Sequence, residues 1–174
     1  MRWIQVFPIL ALALIAPLSS AQQQPAAKPC SGELHQAFDF WVGEWEVKTA
    51  DGKVAGHNVI TKQDCYLLER WSGSGGSHGM SLNFVNPATG RWTQDWMGGG
   101  GGRILIEGEF KDGSMTLVGT NTLPNGTQRA FRGSWSLLED GRVRQFFEES
   151  KDDGKSFAPW FEGFYKKKTT KEAD

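Results

Sequence analysis

The sequence predicts an all-β fold, an antiparallel meander of about ten strands that closes into a barrel behind a short N-terminal helical plug. Three observations support this fold class. Turn signals recur at short intervals, helical periodicity is absent, and residues 38–47 carry a Gly-x-Trp motif on the first predicted strand. Short strands separated regularly by turn signals are typical of barrels and sandwiches.

The first 21 residues have the pattern of a signal peptide. Arg2 gives a positive start, residues 9–18 are largely apolar, and residues 19–21 are small enough for cleavage. This pattern predicts a mature chain that begins at Gln22. The apolar stretch is too short for a comfortable membrane span. We therefore expect a soluble exported protein, periplasmic or secreted, without a membrane anchor.

The mature chain is predicted to form one domain. Residues 22–32 have the composition of a disordered spacer, residues 33–168 form the barrel domain, and residues 169–174 form a disordered tail. A domain of this size buries roughly 70% of its unfolded surface, which is enough for one hydrophobic core.

Charge and residue spacing argue against several classes of partner. The formal net charge is −1, and no basic stripe alternates with aromatic residues, so we predict no nucleic-acid partner. The three histidines, His35, His57 and His78, have no second His or Cys at metal spacing, and we predict no metal site. No cofactor is predicted, although His78 leaves haem open as an alternative. The sequence predicts no particular oligomeric state.

Two cysteines, Cys30 and Cys65, remain after the predicted cleavage. Export would place them in an oxidising compartment, which favours a disulfide between the N-terminal segment and the third strand. Two free thiols are the alternative, because the sequence does not give the Cα separation that a bridge requires.

The chain after about residue 37 consists of strands and turns. A short helical or irregular segment at about residues 33–37 precedes them, and Asp-Gly and Asn-Gly pairs supply the positive φ angles of tight hairpins. The ten predicted strands are residues 42–49, 54–62, 64–72, 78–86, 91–97, 103–110, 114–120, 127–136, 142–149 and 157–166.

Alternation along these strands predicts which side chains point inward. Three strands combine an apolar residue, an acid or amide, and an aromatic residue on the predicted inner face, and the last strand adds Phe161, Gly163 and Tyr165. On strand 78–86 the apolar residues Met80, Leu82 and Phe84 are predicted to point inward, with Ser81 and Asn83 outside. The three mixed inner faces are Trp92, Gln94 and Trp96; Val143, Gln145 and Phe147; and Leu67, Glu69 and Trp71.

Buried amides and carboxylates need partners, because leaving such a group unsatisfied costs about 1–3 kcal/mol, and more when it is charged. Two interpretations remain open for Glu69, Gln94 and Gln145. They form an internal network in which Arg129 or Arg132 neutralises Glu69, or they bind a polar group of a ligand.

The two ends of the predicted barrel differ. In a meander, alternate turns share an end, so the glycine-rich segments 73–77 and 98–102 surround one mouth. Such loops are costly to order and suit a mouth that opens and closes, while ordinary solvent loops are the alternative. At the opposite end, Phe38, Phe40 and Trp41, together with Trp45 of the first strand, are predicted to form an aromatic plug.

Four motifs in order resemble those of a bacterial family of exported proteins of unknown function that is regarded as lipocalin-like, or calycin-like. They are Phe38-Asp39-Phe40-Trp41-Val42-Gly43-Glu44-Trp45, Asp64-Cys65 with Leu68-Glu69-Arg70-Trp71, Gly90-Arg91-Trp92-Thr93-Gln94-Asp95-Trp96, and Gly163-Phe164-Tyr165.

This resemblance covers nearly all of the mature chain and implies a β-barrel without an established activity. Gly43-x-Trp45 resembles the lipocalin signature, in which a late arginine stacks on the tryptophan; here the last strand ends in lysines. Nitrobindins are distantly similar in strand number, and carry a haem-ligating histidine near the C-terminus that this chain lacks.

The favoured function is an exported, non-catalytic barrel that binds a small, partly apolar molecule in its interior. Two alternatives are an enzyme that uses Glu69 as a general acid or base, and a structural or interaction protein with a filled core. No catalytic residues are otherwise assigned. The predicted ligand-binding residues are Glu69, Trp71, Gln94, Trp96, Gln145, Phe147 and Tyr165.

Overall fold

The computed structural model describes residues 28–168. The predicted signal peptide, the first part of the predicted spacer (residues 22–27) and the predicted tail (residues 169–174) lie outside the described residues. Within the described part of the chain, no helix combines the length and apolar character needed to cross a membrane.

In residues 28–168, ten strands follow a short helical segment. That segment consists of helix α1 (Glu33–Gln36) and a single 3₁₀ turn (Asp39–Trp41). The predicted strand bounds differ from the observed ones by at most two residues at either end. The strands are β1 (Gly43–Lys48), β2 (Val54–Lys62), β3 (Tyr66–Gly73), β4 (His78–Asn86), β5 (Arg91–Gly98), β6 (Arg103–Lys111), β7 (Ser114–Thr122), β8 (Gln128–Leu137), β9 (Val143–Glu149) and β10 (Ala158–Lys167).

The strands form one closed barrel. Each strand pairs antiparallel with its sequence neighbours, and β1 also pairs with β10, where Glu46 lies opposite Lys166. This pairing leaves the ten-stranded sheet without a free edge. The predicted fold class, an all-β antiparallel meander closed into a barrel, is confirmed.

Five hairpin turns share one geometry. In each, the first of five residues donates its backbone N–H to the carbonyl of the fifth, and the fourth, a glycine, donates to the carbonyl of the first. The φ angles of these glycines lie between +81° and +87°, a region that side chains rarely adopt. Both glycine-rich loops, 73–77 and 98–102, are turns of this kind. The five glycines are Gly52, Gly76, Gly101, Gly126 and Gly141.

The predicted aromatic plug lies at one end of the barrel. Phe38 and Trp41 are fully buried and stacked, with ring centroids 4.9 Å apart, and Phe38 also meets the ring of Trp135 edge-on at 5.2 Å. Phe40 is half-buried against the strands. Trp45 of β1 donates its indole N–H to the carbonyl of Trp41 at 2.9 Å. The aromatic packing therefore fills this end of the interior.

A lysine near the end of β10 lies over the ring of Trp45. The Nζ of Lys167 lies 5.5 Å from the ring centroid of Trp45, within range of a cation–π interaction. Gly43 makes room for it, because a Cβ at Gly43 would lie only 2.7 Å from the Cε of Lys167. The φ of Gly43, +145°, also favours glycine.

Cys30 and Cys65 form a disulfide, with their Cα atoms 5.2 Å apart. The bridge ties the segment before α1 to the residue that precedes β3. Pro29 and Cys30 form a turn, so the described part of the predicted spacer, residues 28–32, is anchored to the barrel.

The predicted inner face of β4 is wrong. Ser81 and Asn83 are buried, with 1% and 0% of their surfaces exposed, whereas Met80 and Leu82 are 48% and 46% exposed. The cause is register, because Ser81 pairs with Glu69 of β3 and must share its face. Hydrogen bonding inside the barrel therefore outweighs the apolar character of the methionine and the leucine.

We predict that Phe38→Ala lowers the free energy of unfolding by about 3–5 kcal/mol, because it removes a buried ring from the centre of the plug. Urea denaturation at neutral pH measures the loss. Phe110→Ala is the matched control: Phe110 is 43% exposed, so its loss should stay below about 1.5 kcal/mol. Equal losses for the two variants would contradict the assignment of the plug.

Candidate functional site

A cavity of about 260 Å³ occupies the barrel at the end opposite the plug. Strands β3, β5, β9 and β10 contribute most of its walls. Its outer lining includes Ser77, in the loop after β3, and Trp160, near the start of β10; both are exposed. The cavity therefore reaches the surface at the end that carries the glycine-rich loops.

All seven predicted ligand-binding residues line this one cavity. They come from four strands, because alternation places every second residue of β3, β5, β9 and β10 on the inner face. Five further residues line the cavity and were not predicted as site residues: Ala55, Ser77, Ile104, Trp160 and Phe161.

Aromatic rings form part of the cavity wall. Phe161 meets the ring of Trp71 edge-on at 6.1 Å between centroids and lies 6.4 Å from the ring of Phe147. Phe147 in turn lies 6.1 Å from the ring of Trp160. The Trp71–Phe161 pair is edge-to-face and the other two pairs are tilted, so four aromatic rings pack against one another along the cavity wall.

Glu69 lies at the base of the cavity and is only 4% exposed. Its Oε1 accepts a hydrogen bond from Nδ2 of Asn58 at 2.7 Å, and its Oε2 accepts one from the hydroxyl of Ser81 at 2.5 Å. Nε2 of Gln94 lies 3.5 Å from Oε2. The carboxyl group is thus surrounded by neutral donors.

These donors belong to a chain of hydrogen bonds that runs in one direction. Gln94 donates to Oδ1 of Asn83 at 2.9 Å, and Asn83 donates to the hydroxyl of Ser81 at 2.8 Å. Because the hydroxyl oxygen of Ser81 already accepts from Asn83, its hydrogen is free to point at Glu69. The chain therefore ends on Glu69 as an acceptor.

No positively charged side chain among the described residues forms an ion pair with Glu69. The predicted role of Arg129 or Arg132 is wrong, because Arg129 binds Glu149 and Arg132 binds Glu148, each at 2.6 Å. Burial raises the pKa of Glu69 from 4.5 to about 7, and the hydrogen bonds from Ser81 and Asn58 limit the rise. Near neutral pH, Glu69 is therefore divided between its charged and neutral forms.

A second polar pair lies beside Glu69. The hydroxyl of Tyr165 donates to Oε1 of Gln145 and lies 3.3 Å from Nδ2 of Asn58. Burial, and then the charge of Glu69, raise the pKa of Tyr165 well above 10, so this phenol stays protonated. Oδ1 of Asn58 is buried without a partner among the described residues. The described residues thus satisfy the hydrogen bonding of this polar layer only in part.

Sequence reasoning missed three members of this layer: Asn58, Ser81 and Asn83. A signal for Ser81 was available, because the β3–β4 turn is centred near residue 75 and a symmetric hairpin about it sets residue 81 opposite Glu69. The same signal was available for Asn58, because the β2–β3 hairpin sets residue 58 opposite Trp71, which was predicted to point inward.

The residues considered for haem or metal binding lie outside the cavity. His78 is exposed at the start of β4 and does not line the cavity; its Nδ1 lies 3.4 Å from the carbonyl oxygen of Gly76. Within residues 28–168, no three His, Cys, Asp or Glu side chains are placed to hold a metal ion.

A second depression, of about 610 Å³, lies outside the barrel between the N-terminal segment and strands β3 and β4. Its walls include the disulfide and the outer faces of Tyr66, Leu82 and Phe84. It is larger than the interior cavity, but none of the described residues directs a buried polar side chain into it, so the interior cavity is the candidate site.

The chain matches no protein-family model and no curated protein. Its function is therefore inferred from its own residues and their geometry.

We predict that the stability of the wild type falls relative to Glu69→Gln as the pH rises from about 4.5 to about 7. In this range the native state holds the Glu69 proton more tightly than the unfolded state, so raising the pH favours unfolding. One pKa unit corresponds to about 1.4 kcal/mol, so the relative loss is on the order of 3 kcal/mol.

Urea denaturation of both proteins from pH 4 to pH 9 measures this difference, in which the contributions of all other groups cancel. A constant offset added to this pH-dependent change would reflect the lost hydrogen bonds of Glu69 and is compatible with its burial. A difference that does not change with pH would contradict it.

Proposed function

We propose that this protein is an exported barrel that binds a small, partly apolar molecule in its interior cavity. The disulfide between Cys30 and Cys65 supports export, because such bridges persist in oxidising compartments such as the periplasm. The signal-peptide pattern supports it independently. The closed ten-stranded barrel is compatible with the lipocalin-like fold that the motifs resemble.

The observation that carries the proposal is the combination of aromatic walls and a polar base around one open volume. Trp71, Trp96 and Phe147 offer apolar contact, while Glu69 and Gln145 offer hydrogen bonding at the base. Small-molecule sites have this composition, with volumes of about 300–1,000 Å³. The cavity of about 260 Å³ lies just below that range, which favours a small ligand over a completely filled core.

A second candidate function is acid–base catalysis by Glu69. One observation favours it: a buried carboxyl group in a cavity, with a pKa of about 7, is suited to giving and taking protons at neutral pH. Among the described lining residues, however, the only other titratable side chain is Tyr165, which stays protonated. Binding therefore remains the first proposal.

We predict that native mass spectrometry of the protein isolated from its own compartment detects a bound small molecule. Ile104→Trp should abolish the adduct, because Ile104 is 4% exposed and lines the cavity, so a larger side chain fills it. The matched control is Leu105→Trp, on the outer face and 41% exposed, which should keep the adduct.

Thermal unfolding of both variants establishes that they are folded. Absence of any adduct in the wild type and in Leu105→Trp would count against binding, and a Soret absorbance would point to haem. For catalysis, a folded Glu69→Gln protein with unchanged turnover would exclude Glu69 as the acid or base.

A further inference from the structure

We infer that the ligand of the cavity carries a protonated amine on a small apolar body, and that this amine binds the carboxylate of Glu69. The inference rests on the proposed function and names the chemistry of its ligand. Three observations support it: the direction of the hydrogen bonds around Glu69, the lack of a cationic partner among the described residues, and the aromatic rings in the cavity wall.

The hydrogen bonds around Glu69 are arranged for a carboxylate. Asn58 donates to one oxygen at 2.7 Å, and Ser81, itself held as an acceptor by Asn83, donates to the other at 2.5 Å. A protonated carboxyl would have to turn its own hydrogen towards one of these donors. These hydrogen bonds therefore favour the charged form, which accepts on both oxygens, whereas burial favours the neutral form.

The charge of that carboxylate is not balanced by the described protein. The two arginines that the sequence suggested as partners, Arg129 and Arg132, bind Glu149 and Glu148 instead. A carboxylate that is 4% exposed and lacks a cationic partner is costly, and its attraction for a positive charge is little screened by water. A cationic ligand would supply the missing charge, whereas an anionic ligand would be repelled.

The walls of the cavity suit the rest of such a molecule. Trp71, Trp96 and Tyr165 line it with aromatic rings, whose faces attract cations and whose surfaces accept apolar groups. The Trp71 and Phe161 rings meet edge-on at 6.1 Å. An amine that reaches Glu69 thus passes through an aromatic enclosure, and its apolar body remains against these rings.

Among the described residues that face the site, only Glu69 changes charge near neutral pH. The groups around Glu69 are Asn58 of β2, Ser81 of β4, Gln94 of β5 and Tyr165 of β10, with Gln145 of β9 beside them. Apart from Glu69, only Tyr165 titrates, and its raised pKa keeps it neutral. Amine binding should therefore follow the ionisation of Glu69 alone.

Calorimetry with three probes of similar shape tests the inference: 2-phenylethylamine, 2-phenylethanol and phenylacetate. At pH 8 the amine should bind the wild type about 30-fold or more tightly than the alcohol, the ratio expected for a buried charge partner, and phenylacetate should bind least. At pH 6, with Glu69 about nine-tenths protonated, amine affinity should fall about tenfold while alcohol affinity stays constant.

Two variants separate the charge from the cavity. Glu69→Gln should lose about 30-fold in amine affinity and keep its alcohol affinity within about threefold, and this alcohol binding also establishes that the variant is folded. Glu162→Gln is the matched control, because Glu162 binds Arg144 rather than lining the cavity. Both affinities should be unchanged in it.

The outcomes distinguish this inference from the proposed function. If the alcohol binds as tightly as the amine, or Glu69→Gln binds the amine as the wild type does, the amine assignment is wrong while the binding function stands. A natural adduct identified as neutral or anionic also overturns it. If no probe binds and no adduct exists, both the inference and the proposed function fail.

Discussion

The pairing of β1 with β10 closes the sheet, and this closure confines every inward-pointing side chain to one enclosed interior. A closed barrel has no edge and offers its interior side chains only one another, a ligand or trapped solvent. Along the barrel the interior changes from an aromatic plug around Phe38 and Trp41, through a polar layer around Glu69, to an aromatic-walled cavity. The plug closes one end, so the polar layer is reached from the other.

The polar layer is the energetically unusual part of this interior. Glu69 is buried among neutral donors without a cation among the described residues, and Oδ1 of Asn58 has no partner there. Burial of this kind costs free energy, which apolar burial such as that of the plug offsets elsewhere. A ligand that binds these groups would offset this free-energy cost. The unsatisfied groups beside an open cavity therefore support the proposed binding function.

The fold could be predicted closely because its causes are local. Positive-φ glycines such as Gly52 and Gly141 fix where the hairpins turn, and the spacing between turns fixes the strand lengths. The inward positions of Glu69, Gln94 and Gln145 followed from alternation with aromatic neighbours. At these positions the alternation within one strand was enough for the prediction.

Prediction failed where the answer depends on two strands together. The side chains of β4 were assigned by hydrophobicity, but its pairing with β3 decides that Ser81 faces inward. Likewise, Arg132 lies directly opposite Glu148 across the β8–β9 pair and binds it there, so it is not available to Glu69. Register, which sets such cross-strand partners, is only weakly encoded in a single strand.

The most direct test is to titrate the side-chain carboxyl carbon of Glu69 by carbon-13 NMR in the ligand-free protein, with the resonance assigned by its loss in Glu69→Gln. A carboxyl buried among neutral donors without a cation should titrate with a midpoint near pH 7. A midpoint near 4.5 would mean that Glu69 is solvated or paired with a positive charge, and it would contradict the enclosed polar layer on which the proposed function depends.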